Sequence, residues 1–384
     1  MDCRLQGKGA DGLPRASQAF LVNILLVKLS SLGDVVHALP VVQDIRAALP
    51  GARIDWVVEK PFAALLALHP GVRRVISCEI RRWRKSPLAA LTRQQWNAFK
   101  ADLRQTPYDA VIDLQGLTKS AVVARLARLA PGGQRYALAN QTEGSGYEAP
   151  TRWLADVAIR VNPRIHAVQR SRELAARALG YTPAAAPDFG LKSLLAQALP
   201  AQSAPEKVAS VPRVAFVHGT SRADKEWPLA HWIELGRRFN AAGWQVALLS
   251  GNAPELATSQ ALAETLKGGG ADPAGGKSPI SDAGNANSAR AIAWPLMPLD
   301  ALARALAGCA GVIGVDSGVS HIAVALDLPH VQLYNFDTAW RTGPDAASGR
   351  QASVFARPAP AVDEVWQAWL ACRAAAPGFR TAAP

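Results

Sequence analysis

Cysteine is scarce in this chain: four residues in 384, at Cys3, Cys78, Cys309 and Cys372. Their spacing fits neither a disulfide framework nor a zinc site, and a reducing, cytoplasmic setting is the simpler inference. Long apolar runs are missing as well, so no stretch reads as a membrane span. Residues 1–20 carry Arg4, Lys8, Asp11 and Arg15 without an apolar core before a cleavage site. They read as a flexible extension rather than a secretory signal. No Gly-x-Gly-x-x-Gly follows the first strand-like run, and no acidic residue is placed for a dinucleotide ribose, which weighs against a nicotinamide enzyme. A Walker A motif is absent, as are a repeat of solenoid period and an Asp-x-Asp pair at a strand end. Negative charge is the scarcer sign: 30 Asp and Glu against 42 Lys and Arg, a net +12. Such a balance serves solubility, or it points to an acidic partner: nucleic acid, anionic lipid or a phosphorylated small molecule. The surplus is local, because Arg73, Arg74, Arg81, Arg82, Arg84 and Lys85 fall within thirteen residues.

What is present is an alternation of short apolar runs with amphipathic stretches, the pattern of an α/β protein with parallel sheets. In the first half, strands are predicted at 23–28, 54–58, 75–77 and 110–113. Helices are predicted at 35–49, 88–105, 118–129 and 166–179, the last ended by Gly180. A second series has strands at 214–217, 245–249, 291–294, 311–315 and 330–334, with helices at 229–242, 254–266, 299–307, 319–326 and 362–375. The Ala-, Pro- and Ser-rich stretch near 191–212 reads as a linker. The aperiodic Gly-, Ala- and Ser-rich stretch 268–287 reads as a flexible insertion. Two Rossmann-like domains facing a cleft are expected: 21–190 and 213–360, followed by a helix at 361–376 that packs back toward the first domain.

Three loops at strand ends carry the chemistry. Ser30-Ser31-Leu32-Gly33-Asp34 follows the first strand; Asp34 there is either a helix cap or a general base for a hydroxyl. His218-Gly219-Thr220-Ser221-Arg222-Ala223-Asp224-Lys225 opens the second series. The Thr220 and Ser221 hydroxyls with the Lys225 cation suit a diphosphate, and a plain solvated loop is the other reading. Val315-Asp316-Ser317-Gly318-Val319-Ser320-His321 reads as strand, tight turn and helix. A helix start of that kind can hold a phosphate, with Asp316 and His321 beside it, or it is an ordinary turn. Glu255 follows another strand and is placed either for ribose hydroxyls or as a surface residue. The Arg81-Arg82-Trp83-Arg84-Lys85 run suits a polyanion or a solvated face.

Taken in order, Val27 to His37, His218 to Pro228 and Val315 to His321 resemble the ADP-heptose:lipopolysaccharide heptosyltransferases. The Arg81–Lys85 run and Asp113-Leu114-Gln115-Gly116-Leu117-Thr118-Lys119-Ser120 are similar to the heptosyltransferase I branch in particular. The resemblance spans residues 21 to about 375. It implies the GT-B fold, with the acceptor bound by the first domain and the donor by the second. It implies inverting transfer of L-glycero-D-manno-heptose from ADP-heptose to the first Kdo of Kdo2–lipid A, without a metal or other cofactor.

By motif, Asp34 resembles the catalytic base. Lys225, with Thr220 and Ser221, resembles the phosphate contacts, and Glu255 the ribose contact. Met297 resembles the residue whose backbone meets adenine. Asp316, Ser317, Gly318 and His321 resemble the sugar–diphosphate turn. Lys28, Ser30, Ser31, Arg81, Arg82, Gln115 and Lys119 resemble acceptor-side groups. The acidic partners would then be Kdo and lipid A phosphates, with peripheral contact on the anionic inner membrane and no nucleic acid. A heptosyltransferase II-like acceptor and a nucleic-acid-binding protein are the alternatives to weigh.

Overall fold

The computed structural model describes residues 22–198, 211–267 and 290–376. The expected extension at 1–20 and the expected insertion at 268–287 lie outside them. The chain divides into two units at Gly190/Leu191, each built on one six-stranded sheet.

The first sheet holds β1 (Asn23–Val27), β2 (Arg53–Glu59), β3 (Val72–Cys78), β4 (Tyr108–Asp113), β5 (Leu129–Leu138) and β6 (Val157–Ile159). Its strand order is β3-β2-β1-β4-β5-β6, and every pairing is parallel. Leu25, Val27, Val57, Ile76 and Val111 are buried under Phe99, Leu103 and Tyr108. That explains why the central strands read as unbroken apolar runs: helices cover both faces of a parallel sheet.

The second sheet holds β7 (Arg213–Val217), β8 (Gln245–Leu248), β9 (Ala291–Ala293), β10 (Gly311–Val315), β11 (His330–Tyr334) and β12 (Gln351–Phe355). Its order is β12-β11-β10-β7-β8-β9, again all parallel. Counted from its own first strand, this is the same winding as the first sheet. Its core is aromatic: Phe216 lies 5.0 Å from Trp232 and 5.6 Å from Phe239, ring to ring.

In each unit the winding reverses between the first and fourth strands, β1/β4 and β7/β10. Open α/β sheets bind ligands outside the carboxyl ends of such a pair. The loops singled out from the sequence follow β1, β4, β7 and β10.

Several expectations need correction. The helix expected at 118–129 ends at Leu126, and Leu129 already begins β5. That strand was not expected because Pro131, Gly132 and Gly133 interrupt it; Gly132 has φ +79. The edge strands β6 and β12 were missed too, being short or half exposed on one face. The expected linker contains a helix, Ser193–Ala198, packed on the Leu299–Ala307 helix. The final helix, Val362–Ala374, buries Val365, Trp369 and Cys372 in the second unit's core. Gly311 makes room for it: a Cβ there would lie 2.5 Å from the Trp369 ring. No helix among the described residues is long and apolar enough to cross a membrane.

Candidate active site

At the β1/β4 switch point the chain folds back on itself through Gln115. Its Oε1 accepts from Leu29 N at 2.7 Å and Ser30 N at 3.1 Å, and its Nε2 donates to Ser30 O at 2.6 Å. Asp113, the last residue of β4, holds Gln115 in place by accepting from Gln115 N and Ser120 Oγ. Burial raises the Asp113 carboxyl to about 6 despite these donors. Lys119 Nζ donates to Ser30 Oγ at 3.3 Å. Lys28, Ser30, Gln115 and Lys119 therefore form one cluster.

Asp34 completes that cluster. It stands in the first turn of the Leu32–Ala38 helix, with Ser31 as the N-cap. Its Oδ2 accepts from Ser31 N at 3.1 Å and Ser31 Oγ at 2.8 Å. So Asp34 takes part in closing the helix start without being the cap itself. Its Oδ1 lies 3.5 Å from Lys28 Nζ, and its side chain keeps 44% of its surface exposed while Lys28 is buried. Partial burial works against the charged form, but the Lys28 ammonium and the two Ser31 donors outweigh it. They hold the carboxyl well below the usual range. Burial in turn lowers Lys28 to about 8, against the pull of Asp34. The carboxylate is thus ionised at neutral pH and reachable from solvent.

The sign of this coupling gives a test. Lys28 depresses the Asp34 pKa, so Lys28→Met raises it. In the base role expected from the sequence Asp34 works only deprotonated, so the acid limb of the rate profile then moves to higher pH. Parent kcat/KM is expected to show no Asp34 limb above about pH 4, whereas Lys28→Met loses rate below about pH 5. Superimposable profiles would contradict the coupling.

Arg81 and Arg82 sit in a short helix, Ile80–Trp83, that the sequence reading left as a charge run. Both are exposed. Arg81 N donates to Glu59 Oε1 at 3.2 Å at the end of β2. Burial raises the Glu59 carboxyl, and the Arg81 and Lys119 charges pull the other way. Arg81 thereby sits at the rim of the cluster. Arg82 is held elsewhere, by Glu79 at 2.9 Å and by Gln95.

In the second unit, Asp316 ends β10 at 7% exposure. Lys225 Nζ donates to its Oδ2 at 2.6 Å. His321 Nε2 lies 3.4 Å from its Oδ1, and Gln332 Nε2 and Thr342 Oγ1 donate to the same oxygen at 3.4 and 3.5 Å. Burial disfavours the charged carboxylate, but His321 and Lys225 reverse this and hold it below the ordinary range. Ser317, not Asp316, caps the Gly318–Ala325 helix by accepting from Ser320 N. The first N–H groups of that helix have no partner within it, and the helix starts two residues after Asp316, which holds Lys225.

The loop bearing Lys225 is fixed from both sides. Asn335 Nδ2 donates to Asp224 O and Glu226 O at 3.1 and 2.8 Å, and Trp227 Nε1 donates to Pro360 O at 2.9 Å. On the same loop Thr220 is half-buried and Ser221 exposed. Glu255 accepts from Gly251 N and Asn252 Nδ2 at 2.7 and 2.6 Å. It also lies against Gly219, where a Cβ would stand 2.3 Å from Glu255 Oε2. Glu255 and the Thr220–Lys225 loop are therefore neighbours. Met297 is half-buried after β9.

Residues 96–366 match the family model for glycosyltransferase family 9 (heptosyltransferase). The chain belongs to that family. Among its members, lipopolysaccharide heptosyltransferase 1 of Pseudomonas aeruginosa is 38% identical over 321 residues, covering 82% of this chain and 78% of the relative. The Escherichia coli K12 protein of the same name is 36% identical over 315 residues, covering 82% and 88%. Lipooligosaccharide heptosyltransferase 2 of Haemophilus influenzae is 24% identical over 328 residues, covering 82% and 83%. Among solved structures, E. coli heptosyltransferase WaaC with ADP superposes with a TM-score of 0.75 at 31% identity, covering 90% of this chain and 98% of that one. The paired sheets are thus those of a family 9 glycosyltransferase, and the fold expectation holds.

Three residues that hold the Asp316–Lys225 cluster escaped the sequence reading: Gln332, Thr342 and Asn335. Gln332 is a polar residue, 0% exposed, within the buried run of β11, and that interruption is a readable signal. Thr342 and Asn335 carried none, because only the fold brings them to Asp316 and to the Lys225 loop.

Proposed function

We propose that the chain is an inverting glycosyltransferase. It moves L-glycero-D-manno-heptose from ADP-heptose to the first Kdo of Kdo2–lipid A in lipopolysaccharide inner-core synthesis. The observation that carries this reading is the margin between relatives: 38% and 36% identity to type 1 proteins against 24% to a type 2 protein over similar lengths.

The chemistry follows from the two clusters. An acceptor hydroxyl at the β1/β4 switch point attacks the anomeric carbon of the donor sugar, and its proton passes to the ionised Asp34 carboxylate. The bond from that carbon to the diphosphate oxygen breaks, and ADP leaves with added negative charge. Lys225 and the N–H groups at the Gly318 helix start offset that charge, with Thr220 and Ser221 as donors to phosphate oxygens. Glu255 meets the ribose hydroxyls and Met297 the adenine edge. On the acceptor side, Lys28, Lys119, Arg81 and Arg82 answer the Kdo carboxylates and lipid A phosphates, while Ser30, Ser31 and Gln115 shape the backbone around the hydroxyl. No metal takes part in this scheme, since fixed cations and dipoles supply the stabilisation. The chain works peripherally on the cytoplasmic face of the inner membrane, where an acyl-anchored acceptor lies.

Mass spectrometry of the product from ADP-heptose and Kdo2–lipid A, with excess chelator present, tests the reading. One heptose added to the acceptor is expected. Product only from an already heptosylated acceptor would move the chain to the type 2 reaction. Product only after a divalent ion is restored would end the metal-free scheme.

A further inference from the structure

Positive charge and exposed leucine meet in one stretch of the first unit. Arg81, Arg82, Arg84, Lys85, Arg93 and Lys100 stand between residues 80 and 100 with no Asp or Glu among them, half of the chain's net +12. Within the same stretch Leu88 is 82% exposed, the most exposed large apolar side chain among the described residues, and Leu91 is 60% exposed.

The stretch is fastened from beneath. Ile80 and Trp83 are buried, and Trp83 Nε1 donates to Gln95 Oε1 at 3.1 Å. The Trp83 ring lies 5.6 Å from both Trp96 and Phe99, centre to centre. Ser86 N and Ala89 N donate to Trp83 O and Ser86 O, each at 3.3 Å, and so close the turn that presents Leu88. Leu91 follows in the first turn of the Ala90–Leu103 helix. The apolar side of this stretch is thus spent on the core, and the face left outward carries cations around two leucines.

A single exposed leucine needs no explanation. Two leucines within a field of cations do, because a polyanion such as nucleic acid would engage the charges and leave the leucines in water. An anionic bilayer satisfies both: its surface potential draws Lys and Arg within a Debye length, and its headgroup–acyl boundary accepts apolar side chains. We propose that residues 81–93 form a docking foot for an anionic lipid bilayer, with Leu88 and Leu91 as its apolar contacts. This deepens the peripheral location proposed above by naming the element that makes it.

Co-sedimentation of the full chain with phosphatidylcholine vesicles, with and without phosphatidylglycerol, tests the foot. The parent chain is expected to bind the phosphatidylglycerol vesicles and to be released by salt. Leu88→Ser combined with Leu91→Ser is expected to weaken that partition on the order of tenfold or more. Leu229→Ser, at a leucine 53% exposed in the second unit, is expected to bind like the parent. If the double variant melts early, Leu88→Ser alone serves, since that residue lies in the turn outside any helix. Parent-like partition of the folded leucine variants overturns the proposal, as does equal binding to vesicles without phosphatidylglycerol. The assay contains neither donor nor acceptor. Failure of the transferase reading therefore leaves its result intact, and failure of the foot leaves the product assay intact.

Discussion

Asp34→Asn is expected to lower turnover by about a thousandfold, within the range general-base catalysis supplies, while affinity for ADP stays close to the parent value. The separation follows from the architecture. Asp34 belongs to the first unit, and the Lys225–Asp316 cluster belongs to the second, so removing the proposed base leaves the proposed nucleotide contacts untouched. Asparagine keeps the volume and an oxygen for Ser31 N, but it cannot take a proton. Asp34→Ala is expected to be equally slow and slightly less stable, by about 1 kcal/mol, because the helix start loses an acceptor. Turnover measured beside calorimetric ADP titration and thermal melting separates these effects. Asp34→Asn turning over within about tenfold of the parent would reject the base assignment.

The second large effect is expected at Lys225. Lys225→Ala should weaken ADP binding by about 30-fold or more, the order associated with truncating one member of a buried, hydrogen-bonded charge pair. Turnover should fall as well, since in the proposed reaction the same cation faces the charge that grows on the leaving diphosphate. The loss has two sources. One is the missing contact to phosphate. The other is the Asp316 carboxylate, buried at 7% exposure and left with His321, Gln332 and Thr342, which then repels the ligand. Combining Lys225→Ala with Asp316→Asn distinguishes them: repulsion predicts partial recovery of ADP affinity in the double variant. Calorimetry giving parent-like affinity for Lys225→Ala would remove Lys225 from the cradle.

The parts of the chain that could be read in advance share a physical cause. Central strands such as β1 and β10 are covered on both faces, so burial writes itself into the sequence as apolar runs. The switch-point loops were readable because a strand end, small residues and a charged group follow one another closely. Edge and irregular strands were not. β12 alternates half-buried and exposed residues after Gln351, and β5 carries Pro131-Gly132-Gly133 near its start. In the site, local motifs gave Asp34, Lys225 and Asp316, while the groups that orient them arrive from far along the chain. Gln115 meets Ser30 from 85 residues away and Asn335 meets Glu226 from 109. The Arg81–Lys85 run shows the same limit: its charge was plain, but that Trp83 turns inward and Leu88 outward depends on Trp96 and Phe99, which periodicity does not pair with it.

The placement of Trp369 against Gly311 has a consequence for biosynthesis. A chain emerging from the ribosome has every strand of its first sheet in hand once residue 159 has appeared, and can consolidate that half while the remainder is still being made. The second half has no such head start. Its interior stays open to water until the Val362–Ala374 helix has left the exit tunnel, so a chain cut short before Val362 would keep the half carrying Asp34 and leave the half carrying Lys225 unfinished.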